Sequence, residues 1–172
     1  MILNLENKGI PFILTSARSP EGVRVIKRML GNHAPIIAFC GGLILDNDGH
    51  EIYSKMIPLK RALELKAMLD KDFPAVACNT FGGEKWIVDD RDDWREQREE
   101  KIVGFPAEIG AIKDIFEKEG GIHKFLLMGT NGTAQTFKCF FTKDNVMGFP
   151  PRKNSLLLLN LFLHLLFPPF SL

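Results

Sequence analysis

Three short stretches carry residue types and spacings that could do chemistry. In Asp46-Asn47-Asp48-Gly49, two carboxylates follow an apolar run, as a phosphoryl-transferring aspartate often does at the end of a buried strand. Asp-Gly between two β-prone runs is equally the mark of a tight hairpin, because glycine accepts the positive φ that such turns need. A calcium loop is excluded there, since the acidic ligands beyond Gly49 and the closing glutamate are missing. Cys40, beside Gly41 and Gly42, would be a nucleophile only with a histidine at hand. Nothing in the sequence puts His33 there, so a small buried residue is expected. The third stretch, Thr15-Ser16-Ala17-Arg18, sets hydroxyls and a guanidinium directly after an apolar run.

The elements around these residues decide where they stand. Pro11 to Leu14 reads as a buried strand that stops at small polar residues. Ser19 is a helix N-cap with Pro20 at the first helical position, and Val23, Ile26, Met29 and Leu30 recur at helical spacing before Gly31 and Asn32 end the helix. Residues 34–42 (APIIAFCGG) give a second buried strand. Strand, helix and strand at this distance form a βαβ unit, and a parallel sheet binds ligands at the carboxyl ends of its strands. Those ends carry Thr15 to Arg18 and Cys40 to Gly42.

Composition sets outer limits. The chain has 172 residues with 45% hydrophobic content, enough to bury a core. Lys and Arg number 22 against 21 Asp and Glu, so no overall field favours nucleic acid or an anionic surface. Three scattered cysteines fit a reduced cytoplasmic protein better than a disulfide framework, and no paired Cys or His spacing suggests zinc. No secretory signal is read in the first residues.

The stretch from Lys8 to Val23, followed by residues 35–53 (PIIAFCGGLILDNDGHEIY), resembles the Cof-type phosphatases of the haloacid dehalogenase superfamily. The order of elements over about residues 1–140 carries the likeness more than any single motif. The resemblance implies a Mg²⁺-dependent phosphoric monoester hydrolase acting on small phosphorylated metabolites, such as sugar phosphates or phosphorylated cofactors. It assigns phosphate binding to Ser16, Ala17 and Arg18, and places Cys40 and Gly41 near the pocket, with Cys40 standing where the family usually has Asn. It also implies a nucleophilic aspartate on the strand before the one that ends at Ser16. Asp46 comes after both, so it is expected to be a solvated turn. No residue of this chain matches the nucleophile or the magnesium ligands; Lys143 and Asp144 lack the family's spacing. The expectation is therefore a member shortened at both ends and without turnover as supplied.

The expected fold class is α/β: a partial Rossmann-like core (βαβ plus a β-hairpin) over residues 1–57, with an inserted α+β cap over 58–141 and an aberrant leucine-rich tail over 142–172. Within the cap, residues 58–72 and 106–120 read as amphipathic helices, residues 75–89 as two strands around a Gly-Gly turn, and residues 122–130 as a strand. Trp86 is expected to pack rather than to bind substrate, and the charged run from Asp89 to Lys101 to be a solvated, salt-bridged face. Gly129 to Thr133 is expected to be a turn. The tail is too short to span a bilayer and reads as a helix on the core or as sequence foreign to the fold. Its apolar surface motivates a second functional class, a non-enzymatic module that contacts a protein partner through the cap and tail.

Overall fold

A computed structural model describes residues 8–31 and 33–129 in full, and the backbone of two further strands, Val146–Met147 and Leu157–Leu163. The chain starts as the sequence suggests. Strand β1 (Leu14–Thr15) leads through helix α1 (Pro20–Leu30) to β2 (Ile36–Ala38), and the two strands pair in parallel with Leu14 opposite Ile36. The Ser19 side chain accepts from the Gly22 N–H, and Gly31 closes α1 in the left-handed conformation. A 3₁₀ turn (Phe39–Gly41) then reverses the chain into β3 (Leu43–Leu45), which forms a hairpin with β4 (Glu51–Ser54). The first sheet therefore runs β1-β2-β3-β4, parallel once and then antiparallel.

A short strand β5 (Ile57–Pro58) enters helix α2 (Leu59–Asp72). Next come β6 (Ala77–Gly82), β7 (Lys85–Val88), helix α3 (Trp94–Val103), β8 (Glu108–Ile109), the one-turn helix α4 (Ile112–Phe116), β9 (Gly121–Ile122) and β10 (Lys124–Gly129). The Gly-Gly turn between β6 and β7 forms as expected, with Gly83 at φ 54°. Of the amphipathic helix expected over 106–120, only Ile112–Phe116 is helical. Glu108 and Ile109 instead pair in parallel with Ile87 and Val88, so sheet hydrogen bonding overrides the helical periodicity there.

Strands β11 (Val146–Met147) and β12 (Leu157–Leu163) complete a six-stranded sheet in the order β11-β12-β10-β6-β7-β8. The leucine-rich run is thus a strand beside β10, with Leu159 opposite Leu127, rather than a helix. No helix among the described residues is long and apolar enough to cross a membrane.

Alternation along the central strands divides the core in two. Cys78, Ile87, Phe125 and Leu127 face α2 and α4, together with Leu65, Ile112 and Phe116. Phe81, Trp86, Val88, Leu126 and Met128 face the other way, onto Val23, Ile36, Ala38, Phe39 and Leu45 of the first sheet and its helix. The second cluster is one apolar core shared by both sheets. Complete burial of side chains such as Phe39 and Met128 contributes roughly 2–3 kcal/mol each, so their packing fixes how the six-stranded sheet sits on the βαβ unit.

Candidate functional site

Ser16, Ala17 and Arg18 form the loop between β1 and α1, at the carboxyl end of β1. Every carbonyl of this tripeptide is engaged. Ser16 O accepts from the Cys40 N–H and Arg18 O from the Phe39 N–H, each at 3.0 Å. Ala17 O accepts from the Lys124 ammonium at 3.2 Å. Ser16 Oγ accepts from the Arg18 N–H at 3.1 Å, which leaves the hydroxyl proton for an outside acceptor. The loop runs straight into the amino end of α1, where the helix dipole favours an anion. The structure thus brings Ser16, Ala17 and Arg18 together with Cys40 and Gly41.

The turn that supports the loop is strained. Phe39 and Cys40 both have positive φ, 49° and 56°, and Gly41 follows at 98°. Such backbone costs a non-glycine residue about 1–2 kcal/mol, and asparagine tolerates it best after glycine. Cys40 is also exposed, not the buried residue expected, because its left-handed backbone turns it out of the apolar cluster that holds Phe39. Desolvation of its thiol still raises the pKa, an effect that Lys124 opposes.

The acidic hairpin stands elsewhere. Asp46 follows Leu45, which pairs with Ile36 at the amino end of β2, whereas Ser16 and Cys40 lie at the carboxyl ends of β1 and β2. The length of a three-residue strand, on the order of 10 Å, separates them. Asp46 Oδ1 accepts the backbone N–H groups of Asp48 at 2.9 Å and His50 at 2.8 Å, and Gly49 has φ 92°. The hydrogen bond from the His50 backbone, then that from its side chain, lowers the Asp46 pKa. These are the bonds of a turn, as expected for this stretch.

Asp46, Asp48 and His50 bring one ligand atom each within 4.8 Å of one another. They do not suit Mg²⁺, which takes near-octahedral oxygen donors. One donor is an imidazole, Asp46 is committed to the turn, and Arg24, Lys27 and Arg28 line the same cleft, with Lys27 Nζ on the Asn47 carbonyl.

Two neighbouring residues, one just before β10 and one at its start, complete the surroundings of the loop. His123 lies between β9 and β10 and stacks on Phe39, with ring centroids 4.9 Å apart. Its Nδ1 accepts from the Gly83 N–H at 3.0 Å, so Nε2 carries the proton that faces Ser54 Oγ at 3.1 Å. Burial lowers its pKa to about 4. Lys124 is only 6% exposed and lies 4.8 Å over the Phe81 ring. Burial lowers its pKa to about 8 against the pull of Glu99 and Cys40. By its sequence this stretch reads as a plain strand. The available signal was a histidine and a lysine inside an apolar run, where a solvated strand face would have alternated.

Trp86 packs as expected, stacked on Phe81 with its indole N–H donated to Asn79 Oδ1 at 2.8 Å. The charged run is corrected in part. Asp93 caps α3 and Arg91 pairs with Glu100 at the surface, but Glu96 is 2% exposed and accepts from Asn79 Nδ2 at 3.0 Å. Helical spacing turns Glu96 inward with Val103, and a solvated-face pattern does not reveal that. Burial raises its pKa to about 8. Lys143, Asp144, Cys139 and the turn expected at Gly129 to Thr133, beyond Gly129 itself, lie outside the described residues.

The profile of haloacid dehalogenase-like hydrolases matches residues 1–153, and the chain belongs to that family. It is 32% identical over 100 residues to a Haemophilus influenzae protein named "Putative phosphatase", across 53% of this chain and 38% of that one. A haloacid dehalogenase-like hydrolase from Bacteroides thetaiotaomicron superposes with a TM-score of 0.73 at 17% identity, covering 95% of this chain and 62% of the other. One from B. subtilis gives 0.72 at 14% identity, with 94% and 64% covered. The chain therefore spans less than two thirds of the length of each of these relatives.

Proposed function

We propose that this chain serves the hydrolysis of small phosphorylated metabolites, such as sugar phosphates or phosphorylated cofactors, and that Ser16, Ala17 and Arg18 hold the phosphoryl group. The observation that carries this is the loop itself: three carbonyls tied back, a serine hydroxyl with its proton to give, and the amino end of α1 directly behind. Cys40 and Gly41 form its neighbouring wall. Residues 58–141 act as the cap that selects the substrate, and the tail begins at 142. The free thiols of Cys40 and Cys78 support a reduced, cytoplasmic setting.

In this family's chemistry Mg²⁺, when bound, neutralises charge on the phosphoryl group. The donors of the hairpin do not fit that ion and stand at the wrong end of the sheet, so no step of hydrolysis is assigned to them. The chain as it stands holds the anion without breaking the ester. An aryl phosphate assay with Mg²⁺, run beside orthophosphate calorimetry, tests this. Binding lost on Ser16→Ala, with no turnover above background, is expected. Turnover that disappears on Asp46→Asn would overturn it.

A further inference from the structure

Lys124 is the described lysine that the shared core holds nearly out of solvent, and packing alone does not explain it. It shares the strand face of Leu126 and Met128, so a leucine or methionine would satisfy the same surface without burying an ammonium. Its Nζ instead reaches across to the Ala17 carbonyl and over the Phe81 ring. Among the described residues, Glu99 on α3, Arg18 on the loop and Cys40 on the strained turn face it with charge. Glu99 in turn feels both Lys124 and Arg18, with Arg98 on its own helix. The second sheet thus touches the loop at its middle peptide, through a cation that burial keeps poised to lose its proton near pH 8.

We propose that Lys124 is a positioning residue for the phosphate-binding loop: by holding the Ala17 carbonyl it fixes the loop for an anion, and the Glu99 carboxylate favours its charged form. This rests on the function proposed above. Lys124 acts through Ala17 and need not touch the anion, so its signature lies in how affinity depends on charge and pH.

The test is orthophosphate binding by the full chain, followed by calorimetry from pH 6.5 to 9.5, with thermal unfolding as the control for folding. Lys124→Met, which keeps the stem over Phe81, is expected to weaken binding about tenfold and to flatten the fall in affinity that wild type should show above pH 8. Lys124→Arg is expected to bind within a few-fold of wild type at pH 7 and to keep that affinity at pH 9.5, because a guanidinium stays charged. Glu99→Gln removes a carboxylate that favours the Lys124 ammonium, so the fall in affinity is expected at lower pH than in wild type, and this shift decides the matter if Lys124→Met does not fold. Equal affinity and an unchanged pH profile in Lys124→Met, or a pH profile in Glu99→Gln that does not move from that of wild type, would overturn the inference. Absence of binding by wild type, or binding that Ser16→Ala leaves intact, would instead refute the function on which it rests.

Discussion

Replacing Glu96 by glutamine should remove most of the loss of stability that this protein suffers between pH 5 and 8. The carboxyl is buried under α3, with Oε1 accepting from Asn79 Nδ2 and Oε2 without a partner among the described residues. Burial raises its pKa from the ordinary 4.5 to about 8, against the hydrogen bond from Asn79. Between those values the folded chain keeps a proton that the unfolded chain has released. Folding is therefore favoured most below pH 4.5 and loses this contribution as pH rises towards 8. Each pH unit in the window is worth up to about 1.4 kcal/mol. Some opening of α3 to water limits the loss, and about 2 kcal/mol between pH 5 and 8 is expected. Glutamine keeps the carbonyl that Asn79 needs and has no proton to lose. Urea unfolding at pH 5, 6.5 and 8 gives the comparison: similar stabilities at pH 5 and a gap of about 2 kcal/mol in favour of Glu96→Gln at pH 8. Two curves falling in parallel would refute a proton held at Glu96.

Four further outcomes follow from the same structure. Cys40→Asn should raise stability by about 1 kcal/mol, read as a higher Tm, because asparagine relieves the left-handed backbone at φ 56°. His123, with its pKa lowered from 6.5 to about 4, contributes stability that is complete above pH 6.5 and lost as pH falls. Wild type should lose about 2 kcal/mol between pH 6.5 and 4.5 relative to His123→Gln, measured by urea unfolding. Gly121→Ala should cost more than about 2 kcal/mol or prevent folding, since the added Cβ would stand 2.4 Å from the Ile57 carbonyl oxygen, a backbone atom that cannot swing away. Asp46→Asn should leave orthophosphate affinity unchanged in calorimetry, because the amide oxygen can still accept the two turn N–H groups.

What could be read in advance was what local chemistry decides. Ser19 with Pro20 announces the start of α1, Asp48-Gly49 the hairpin, and the apolar runs around Leu14 and Ile36 the parallel pair. The order of elements in the family that the sequence resembles, with the nucleophile's strand before the one ending at Ser16, was enough to set Asp46 aside as a turn. What could not be read depends on meetings over long stretches of chain. Lys124 meets Ala17 across 107 positions, and Ser54 meets His123 across 69. Neither pair has a local pattern. The exposure of Cys40 was missed because its type suggests burial while its backbone, set by the Phe39–Gly41 turn, turns it outward. Glu96 was hidden in a charged run because a single inward-facing carboxylate barely alters helical periodicity.

The claim on which the rest depends is that the anion site is the loop after β1 and not the acidic hairpin. Crystals soaked with tungstate, a heavy tetrahedral stand-in for phosphate, would locate the site by anomalous scattering. Density at the Ser16 hydroxyl and the amino end of α1 is predicted. Density beside Asp46 and Lys27, with none at Ser16, would contradict it.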